Sequence, residues 1–238
     1  MQKILALSVH LFTSTGIVAG FMAMLAITEG NFRMAMIWLF VALVIDGIDG
    51  TFARYFRVKE VLPHFDGKTI DYVVDFATYA IIPAFFLYMA EKDGVYLFPE
   101  DMRLWAAVII LLVSAMYYGR EGMVTRDFYF VGFPVLWNVV AYYLFFVMDA
   151  SPWWNFFWIV VMGILHFVPL KFLYPSRTTK FKWMNWIMST LFVVSCTLLV
   201  WQFPETHPVL KWCAWICVTY FSGLSIYHTY FDADTKNI

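Results

Sequence analysis

Charged residues are scarce in this chain of 238 residues. Asp, Glu, Lys and Arg together make up 14% of the sequence, whereas 62% of the residues are hydrophobic. Soluble domains contain about one quarter charged residues, and no polar stretch between the apolar segments is long enough to form such a domain. The composition therefore excludes an ordinary water-soluble protein and indicates a polytopic membrane protein.

Cysteine is also rare, and a strand-like alternation of polar and apolar residues is missing. The three cysteines, Cys196, Cys213 and Cys217, are an odd number and lie inside apolar segments, which argues against a disulfide framework. Cys213 and Cys217 share a helix face, but no second pair of ligands supports a zinc site, so we assign both to packing. Continuous apolar runs without alternation exclude a transmembrane β-barrel.

Long apolar runs are abundant. Each approaches the ~20 residues that a helix needs to cross a bilayer. The first run, which follows Lys3, is too long for the core of a signal peptide and is expected to remain uncleaved. We predict an all-α fold, with residues 1–238 forming one polytopic helical bundle in the membrane. Its eight predicted spanning helices lie near residues 7–28, 33–56, 69–90, 102–119, 131–149, 153–174, 184–203 and 208–230.

The distribution of Lys and Arg predicts the orientation of these helices. Basic residues are concentrated in the loops that follow the second, fourth and sixth predicted helices, whereas the alternate loops carry mostly acidic residues or few charges. Basic loops tend to stay on the cytoplasmic side. We therefore expect both termini, and the loop between the second and third helices, to lie in the cytoplasm.

Four carboxylates lie beside that loop. Asp46 and Asp49 are three residues apart near the end of the second predicted helix, and Asp71 and Asp75 are four apart near the start of the third. Each pair shares one helix face, and because the two helices run antiparallel, the faces can meet. Acidic side chains in hydrocarbon are costly and mark a functional site by default.

Carboxylates that converge in this way repel one another unless cations lie between them. Hard oxygen ligands suit Mg²⁺ or Mn²⁺, and the cluster predicts a pair of ions. Small residues at Gly47, Gly50 and Ala53 leave space for a bulky ligand near the backbone, and Arg54 can bind phosphate. The same four aspartates also fit a cation pathway or a structural polar network.

The spacing of these residues is D-x2-D-G-x2-A-R-x12-G-x3-D-x3-D. It resembles the signature of the CDP-alcohol phosphotransferase family, whose members make phospholipids from a CDP-linked donor and an alcohol. The 12-residue gap after the arginine is longer than is common in the family. Together with the eight helices and the stretch GREGMVTRDFYFVGFPVLWN, it makes the chain similar to bacterial members that use choline. The eight motif positions are Asp46, Asp49, Gly50, Ala53, Arg54, Gly67, Asp71 and Asp75.

The resemblance implies roles for the motif residues. Asp75 is implied to be the general base that deprotonates the acceptor hydroxyl, after which the alkoxide attacks the phosphorus of CDP-diacylglycerol and CMP leaves. The centre of two Mn²⁺ or Mg²⁺ ions is implied to be held by Asp46, Asp49, Asp71 and Asp75. The CDP group is implied to contact Asp46, Asp49, Gly50, Ala53, Arg54, Gly67 and Asp71.

A choline acceptor would need a site for a quaternary ammonium, which cannot donate a hydrogen bond. An aromatic cage, with or without a carboxylate, is the expected solution. Tyr79 is the first candidate because it lies one turn beyond Asp75. Aromatic residues make up 21% of the chain, so any single one more often serves packing. The other candidates are Tyr117, Tyr118, Glu121, Trp137 and Tyr142.

Three basic residues are candidates for binding phosphate or a lipid head group: Arg120, Arg177 and Lys180. Ordinary positive charge in cytoplasmic loops explains them equally well. The resemblance further implies a bacterial inner membrane as the location and a homodimer as a possible assembly, and no nucleic-acid partner is expected. The rivals to a choline transferase are transfer to serine or another small alcohol and, from a different class, a cation transporter.

Overall fold

The computed structural model of the protein describes residues 1–125, 127–174, 178 and 180–231. Helices dominate this part of the chain. In chain order they are α1 (Gln2–Thr28), α2 (Phe32–Tyr55), α3 (Val58–Val61), α4 (Gly67–Asp75), α5 (Ile82–Met89), α6 (Arg103–Tyr118), α7 (Trp137–Tyr142), α8 (Pro152–Leu165), α9 (Lys182–Gln202) and α10 (Pro208–Tyr230).

Two of these helices continue into wider π-helical turns. α4 leads through π-helical Phe76–Ile81 into α5, so that Gly67–Met89 forms one rod of 23 residues. α7 continues as π-helical Tyr143–Val147, and a 3-10 turn at Glu100–Met102 precedes α6. π turns occur frequently at functional sites, and the first of them begins directly after Asp75.

Within the described residues, six helices are long and apolar enough to cross a bilayer, and two more apolar helices are shorter. This arrangement confirms the predicted all-α membrane bundle. The long helices are Gln2–Thr28, Phe32–Tyr55, Gly67–Met89, Glu100–Tyr118, Lys182–Gln202 and Pro208–Tyr230, and the short ones are Trp137–Val147 and Pro152–Leu165.

Four short strands join the ends of the helices in two antiparallel pairs. β1 (Glu91–Lys92) pairs with β2 (Val95–Tyr96) in the connection between α5 and α6. β3 (Tyr129–Val131), which precedes α7, pairs with β4 (Lys171–Leu173), which follows α8. The first pair therefore lies at one end of the bundle, and the second lies at the end where α6 finishes and α9 begins.

The bounds predicted for the fifth and sixth helices, 131–149 and 153–174, were wrong. The fifth begins only at Trp137, and the sixth ends at Leu165. Gly132 has φ +86°, and a Cβ at this position would lie 2.0 Å from the carbonyl oxygen of His166. Only glycine permits this backbone contact. The apolar residues on either side therefore form strands and turns inside the protein.

Polar side chains set where the helices of the site begin. The side chain of Asn31 accepts a hydrogen bond from the Met34 amide at 3.1 Å and caps α2. Asp66 caps α4 by accepting from the Lys68 amide at 3.1 Å and from the Thr69 hydroxyl at 2.6 Å. Such caps satisfy amides that the first turn leaves without partners. The cap at Asp66 sets the residue at which α4 begins, one turn before Asp71.

α1 packs closely on the α4–α5 rod through two glycines. A Cβ at Gly16 would lie 2.8 Å from Cγ1 of Val74, and one at Gly20 would lie 2.6 Å from Cδ1 of Ile82. Small residues let membrane helices approach closely. α1, α2 and the rod thus form a compact unit, and this unit carries the carboxylates.

Candidate active site

Three of the four predicted carboxylates converge between α2 and α4. Asp46 and Asp49 lie in the last turns of α2, and Asp71 lies in the second turn of α4. One oxygen from each lies within 4.8 Å of the others. Asp49 is only 6% exposed, and the other two are half-buried. The chain turns back through α3, so the two helix faces meet as the spacing predicted.

Asp75 follows one turn further along α4 and lies near enough to interact electrostatically with Asp46, Asp49 and Asp71. Its Oδ1 is buried and has no hydrogen-bond partner among the described residues. Tyr79, one turn beyond, donates its hydroxyl to Oδ2 of Asp46 at 2.7 Å. Asp75 therefore offers a buried acceptor oxygen, and Tyr79 holds Asp46 in place.

Arg54 lies at the exposed edge of this cluster. Its Nη2 donates to the hydroxyl of Thr51 at 3.0 Å, and its charge acts on Asp49. A Cβ at Gly50 would lie 3.4 Å from Nη1 of Arg54, and Ala53 is half-buried. The small side chains of Gly50 and Ala53 thus leave space beside an exposed guanidinium. A phosphate group can bind in such a place.

Gly67 begins α4 and packs against a side chain of α1. A Cβ at this position would lie 2.7 Å from Cε1 of His10, and the ring of His10 stacks on Phe65 with 5.6 Å between centroids. His10 is 7% exposed. A side chain at this motif position would therefore have to displace the ring of His10.

Thr13 is a contact to the cluster that the sequence analysis missed. It is buried, its hydroxyl donates to the carbonyl of Val9 at 3.3 Å, and it lies close enough to Asp49 to interact with that carboxylate. His10, Thr13, Gly16 and Gly20 recur three or four residues apart and share one face of α1. This stripe of polar and small residues in an apolar helix could have indicated a face of α1 that packs on the site. From the sequence we interpreted α1 only as a spanning helix.

Two of the candidates for acceptor binding lie beside the carboxylates. Tyr118, at the end of α6, is half-buried and packs against Tyr72 and Phe76, with ring centroids 5.6 and 5.9 Å away. Its neighbours include Asp75. Tyr79 is 4% exposed and already engaged with Asp46, so its ring has little free surface.

The other candidates for acceptor binding lie apart from the cluster. Trp137 is fully buried, stacks on His166 at 5.2 Å, and donates to the Ser114 hydroxyl at 2.9 Å. Tyr117 meets the same histidine ring edge-on at 5.5 Å. Tyr142 is fully buried in the aromatic core, and Glu121 is exposed in the turn after α6.

The basic candidates are spread over the loops at the same end of the bundle. Arg120 is half-buried in the turn after α6 and lies close enough to Tyr117 for its charge to act on the phenol. Lys180 precedes α9, and its carbonyl accepts a hydrogen bond from Asn185 at 2.9 Å. Arg177 lies outside the described residues.

The donor set of the cluster fits a hard divalent cation. Asp46, Asp49 and Asp71 supply oxygen ligands within reach of one position, and the carboxylate of Asp75 lies one turn further along α4. Mg²⁺ and Mn²⁺ prefer such ligands. Like charges at this separation are stabilised when a cation lies between them.

The helical bundle and the carboxylate cluster together define a class, that of integral membrane proteins with acidic side chains suited to bind a divalent metal. The family model for CDP-alcohol phosphatidyltransferases matches residues 7–137, which include α1, α2, the rod and all four aspartates. The chain therefore belongs to the CDP-alcohol phosphatidyltransferase family, and it is a phosphatidyltransferase enzyme.

Three relatives that match most or all of the chain bear the same name. The phosphatidylcholine synthase of Pseudomonas aeruginosa is 37% identical over 229 residues, which cover 96% of this chain and 94% of the relative. That of Borreliella burgdorferi is 34% identical over 240 residues, with 100% and 98% covered. That of Agrobacterium fabrum is 42% identical over 183 residues, with 77% and 73% covered.

Proposed function

We propose that the protein transfers the phosphatidyl group of CDP-diacylglycerol to choline, which yields phosphatidylcholine and CMP. The observation that carries this proposal is the convergence of Asp46, Asp49 and Asp71 beside Asp75, whose Oδ1 is buried and has no hydrogen-bond partner among the described residues. The choice of choline is supported by relatives that bear the name phosphatidylcholine synthase over nearly their whole length.

The four aspartates would hold two Mn²⁺ or Mg²⁺ ions. When bound, such ions neutralise the pyrophosphate of the donor and stabilise the leaving phosphate. Tyr79 donates a hydrogen bond to Asp46 and Thr13 lies beside Asp49, so these two neighbours would keep the carboxylates aligned. The CDP group would bind at the surface formed by Gly50, Ala53, Arg54 and Gly67.

The chemical step follows from the position of Asp75. Its carboxylate takes the proton from the hydroxyl of choline, and the choline oxygen forms a bond to the phosphorus that bears diacylglycerol. The bond from this phosphorus to the CMP oxygen breaks, and CMP leaves with the electron pair. A buried carboxylate with one unengaged oxygen is suited to this task, because general bases act within hydrogen-bond reach of the proton they remove.

The site would face the cytoplasm of a bacterial cell, in the inner membrane. Lys and Arg are concentrated in the loops at the same end of the bundle as the carboxylates, and basic loops favour the cytoplasmic side. CDP-diacylglycerol could then keep its acyl chains in the bilayer while its pyrophosphate reaches the cluster.

The test uses the purified protein with CDP-diacylglycerol, Mn²⁺ and isotopically labelled choline, following the label into chloroform-soluble lipid. Labelled serine, inositol and glycerol 3-phosphate are offered in parallel reactions, and release of CMP is measured in each. Choline incorporation with equal release of CMP is the expected result. Incorporation of serine instead would agree with the assignment to the family but contradict choline as the acceptor.

A further inference from the structure

Three aromatic rings meet beside the carboxylates. Tyr72 and Phe76 are four residues apart on the rod, and each directly follows an aspartate of the motif. Tyr118 reaches both of them from the end of α6, with interplanar angles of 60° and 82°. We call these three residues the aromatic corner. The rod therefore presents a stripe of carboxylates and, next to it, a stripe of aromatic rings.

The aromatic corner is accessible, unlike most aromatic residues of the interior. All three of its rings are half-buried, whereas Trp137 and Tyr142 are completely buried and Tyr117 is 2% exposed. A ligand can contact a ring only where part of its face is not already covered. The corner thus combines exposed ring surface with immediate proximity to Asp75, the proposed base.

The electrostatics of the corner favour a cation that carries no hydrogen-bond donors. The ammonium of Lys68 lies 5.1 Å from the centroid of Tyr72, so this ring already attracts one positive charge, and a bound quaternary ammonium would displace Lys68 from it. Tyr118 lies close to the charges of Asp75, Asp46 and Asp71. A quaternary ammonium would gain from both the rings and the carboxylates, whereas an acceptor with its own carboxylate, such as serine, would be repelled.

We propose that Tyr72, Phe76 and Tyr118 bind the quaternary ammonium of the acceptor and thereby select choline. This inference rests on the proposed function. Choline carries its hydroxyl on a two-carbon link, so an ammonium held in the corner leaves the hydroxyl close to the carboxylate of Asp75. The sequence analysis included Tyr118 among several candidates but did not identify Tyr72 or Phe76.

The test compares choline with its neutral isostere, 3,3-dimethylbutan-1-ol, in which a carbon replaces the charged nitrogen. The wild-type enzyme is expected to prefer choline in kcat/KM by at least about tenfold, because a desolvated cation–π contact contributes that much. The Tyr118→Leu and Phe76→Leu variants are each expected to raise the KM for choline about tenfold and to reduce this preference. Their kcat/KM for the neutral isostere should fall by a smaller factor than that for choline, because the isostere loses packing but no cation–π contact.

Tyr118→Phe is the matched control, because it keeps the ring and removes only the hydroxyl; its preference for choline should remain. Melting temperatures and metal-induced stabilisation report whether each variant folds. A loss that is equal for both alcohols would assign the corner to structure alone, and an unchanged preference in both leucine variants would overturn the site. Wild-type enzyme that incorporates no choline would instead overturn the proposed function, and with it this inference.

Discussion

The charged side chains at the two ends of the bundle differ in whether they contact groups that attract them. At the end with β1 and β2, the ammonium groups of Lys92 and Lys211 both contact the carboxylate of Asp149. The guanidinium of Arg103 donates two hydrogen bonds to the carbonyl of Tyr88 and lies 3.5 Å from the ring centroid of Tyr96. Each of these charged groups is satisfied by the chain itself.

At the other end, several carboxylates lie close together although their negative charges repel one another. Asp46, Asp49 and Asp71 approach within 4.8 Å, and Asp75 keeps a buried oxygen without a hydrogen bond within the described chain. Natural sequences break local rules of stability mainly at functional sites. The contrast indicates that the first end is built to hold the fold, whereas the second is built to receive charged ligands.

The strongest way to test this contrast is to neutralise one carboxylate at each end. Asp75→Asn is expected to lower kcat by about 10²- to 10⁴-fold, the usual contribution of a general base. Asp149→Asn, the matched control, is expected to leave kcat within about twofold. Incorporation of labelled acceptor measures both variants. Equal losses of activity at the two ends would contradict the assignment of Asp75.

Divalent metal should stabilise only the end with the carboxylate cluster. We expect Mn²⁺ to raise the melting temperature of the wild-type protein by a few degrees, since a ligand at about 100 times its Kd adds roughly 2.7 kcal/mol. The Asp46→Asn/Asp49→Asn double variant should melt at a higher temperature than wild type without metal, because repulsion is relieved, and should not respond to Mn²⁺. Intrinsic tryptophan fluorescence follows the melting. A full metal response in the double variant would place the ions elsewhere.

The support that α1 gives to the cluster should have an intermediate effect. Thr13→Val removes a hydroxyl that donates to the carbonyl of Val9 and lies beside Asp49; loss of a polar contact to that carboxylate worth about 1 kcal/mol predicts an activity reduced roughly fivefold. Thr15→Val is the control, because Thr15 is exposed and its hydroxyl donates to the carbonyl of Phe12 on the same helix. Initial rates at saturating substrate are compared for the Thr13→Val and Thr15→Val variants. If both variants lost activity equally, the contact with Asp49 would not be the cause.

The smallest effect is expected from pH at the end with β1 and β2. The hydrogen bond from Lys92, together with that from Lys211, lowers the pKa of Asp149 below its usual value. Because the folded pKa is lowered, the stabilisation is present at neutral pH and is lost as the pH falls through that value. The carboxylate is largely exposed, so the loss should be below about 1 kcal/mol. Melting temperatures of wild type and Asp149→Asn, measured from pH 7 to 3, should converge at low pH.

Helical periodicity explains why the cluster was predictable. Asp46 and Asp49, like Asp71 and Asp75, follow spacings that place each pair on one face of a helix, and the short connection through α3 leaves little freedom in how the faces meet. Those predictions depend on local geometry alone. The position of the carboxylates was therefore accessible from spacing, whereas Thr13 required knowledge of which face of α1 packs on them.

Hydropathy failed where apolar residues face the protein rather than lipid. β3 and β4 contain mostly apolar residues, Tyr129–Val131 and Lys171–Leu173, so the sequence suggested helices that continued through them. Their conformation depends on a tertiary contact, the approach of Gly132 to the carbonyl of His166. The aromatic corner was missed for a related reason, because its rings come from two separate helices and only the fold brings them together.

The shortness of α8 has a consequence for the surrounding bilayer. Its 14 residues span about 21 Å, less than the ~30 Å of a typical hydrocarbon core, yet several of its side chains, including Trp153, Trp154 and Ile164, are exposed on the outside of the bundle. A segment shorter than the hydrocarbon core is commonly matched by a thinner bilayer around it. We therefore expect the turnover rate to depend on the acyl-chain length of the host bilayer.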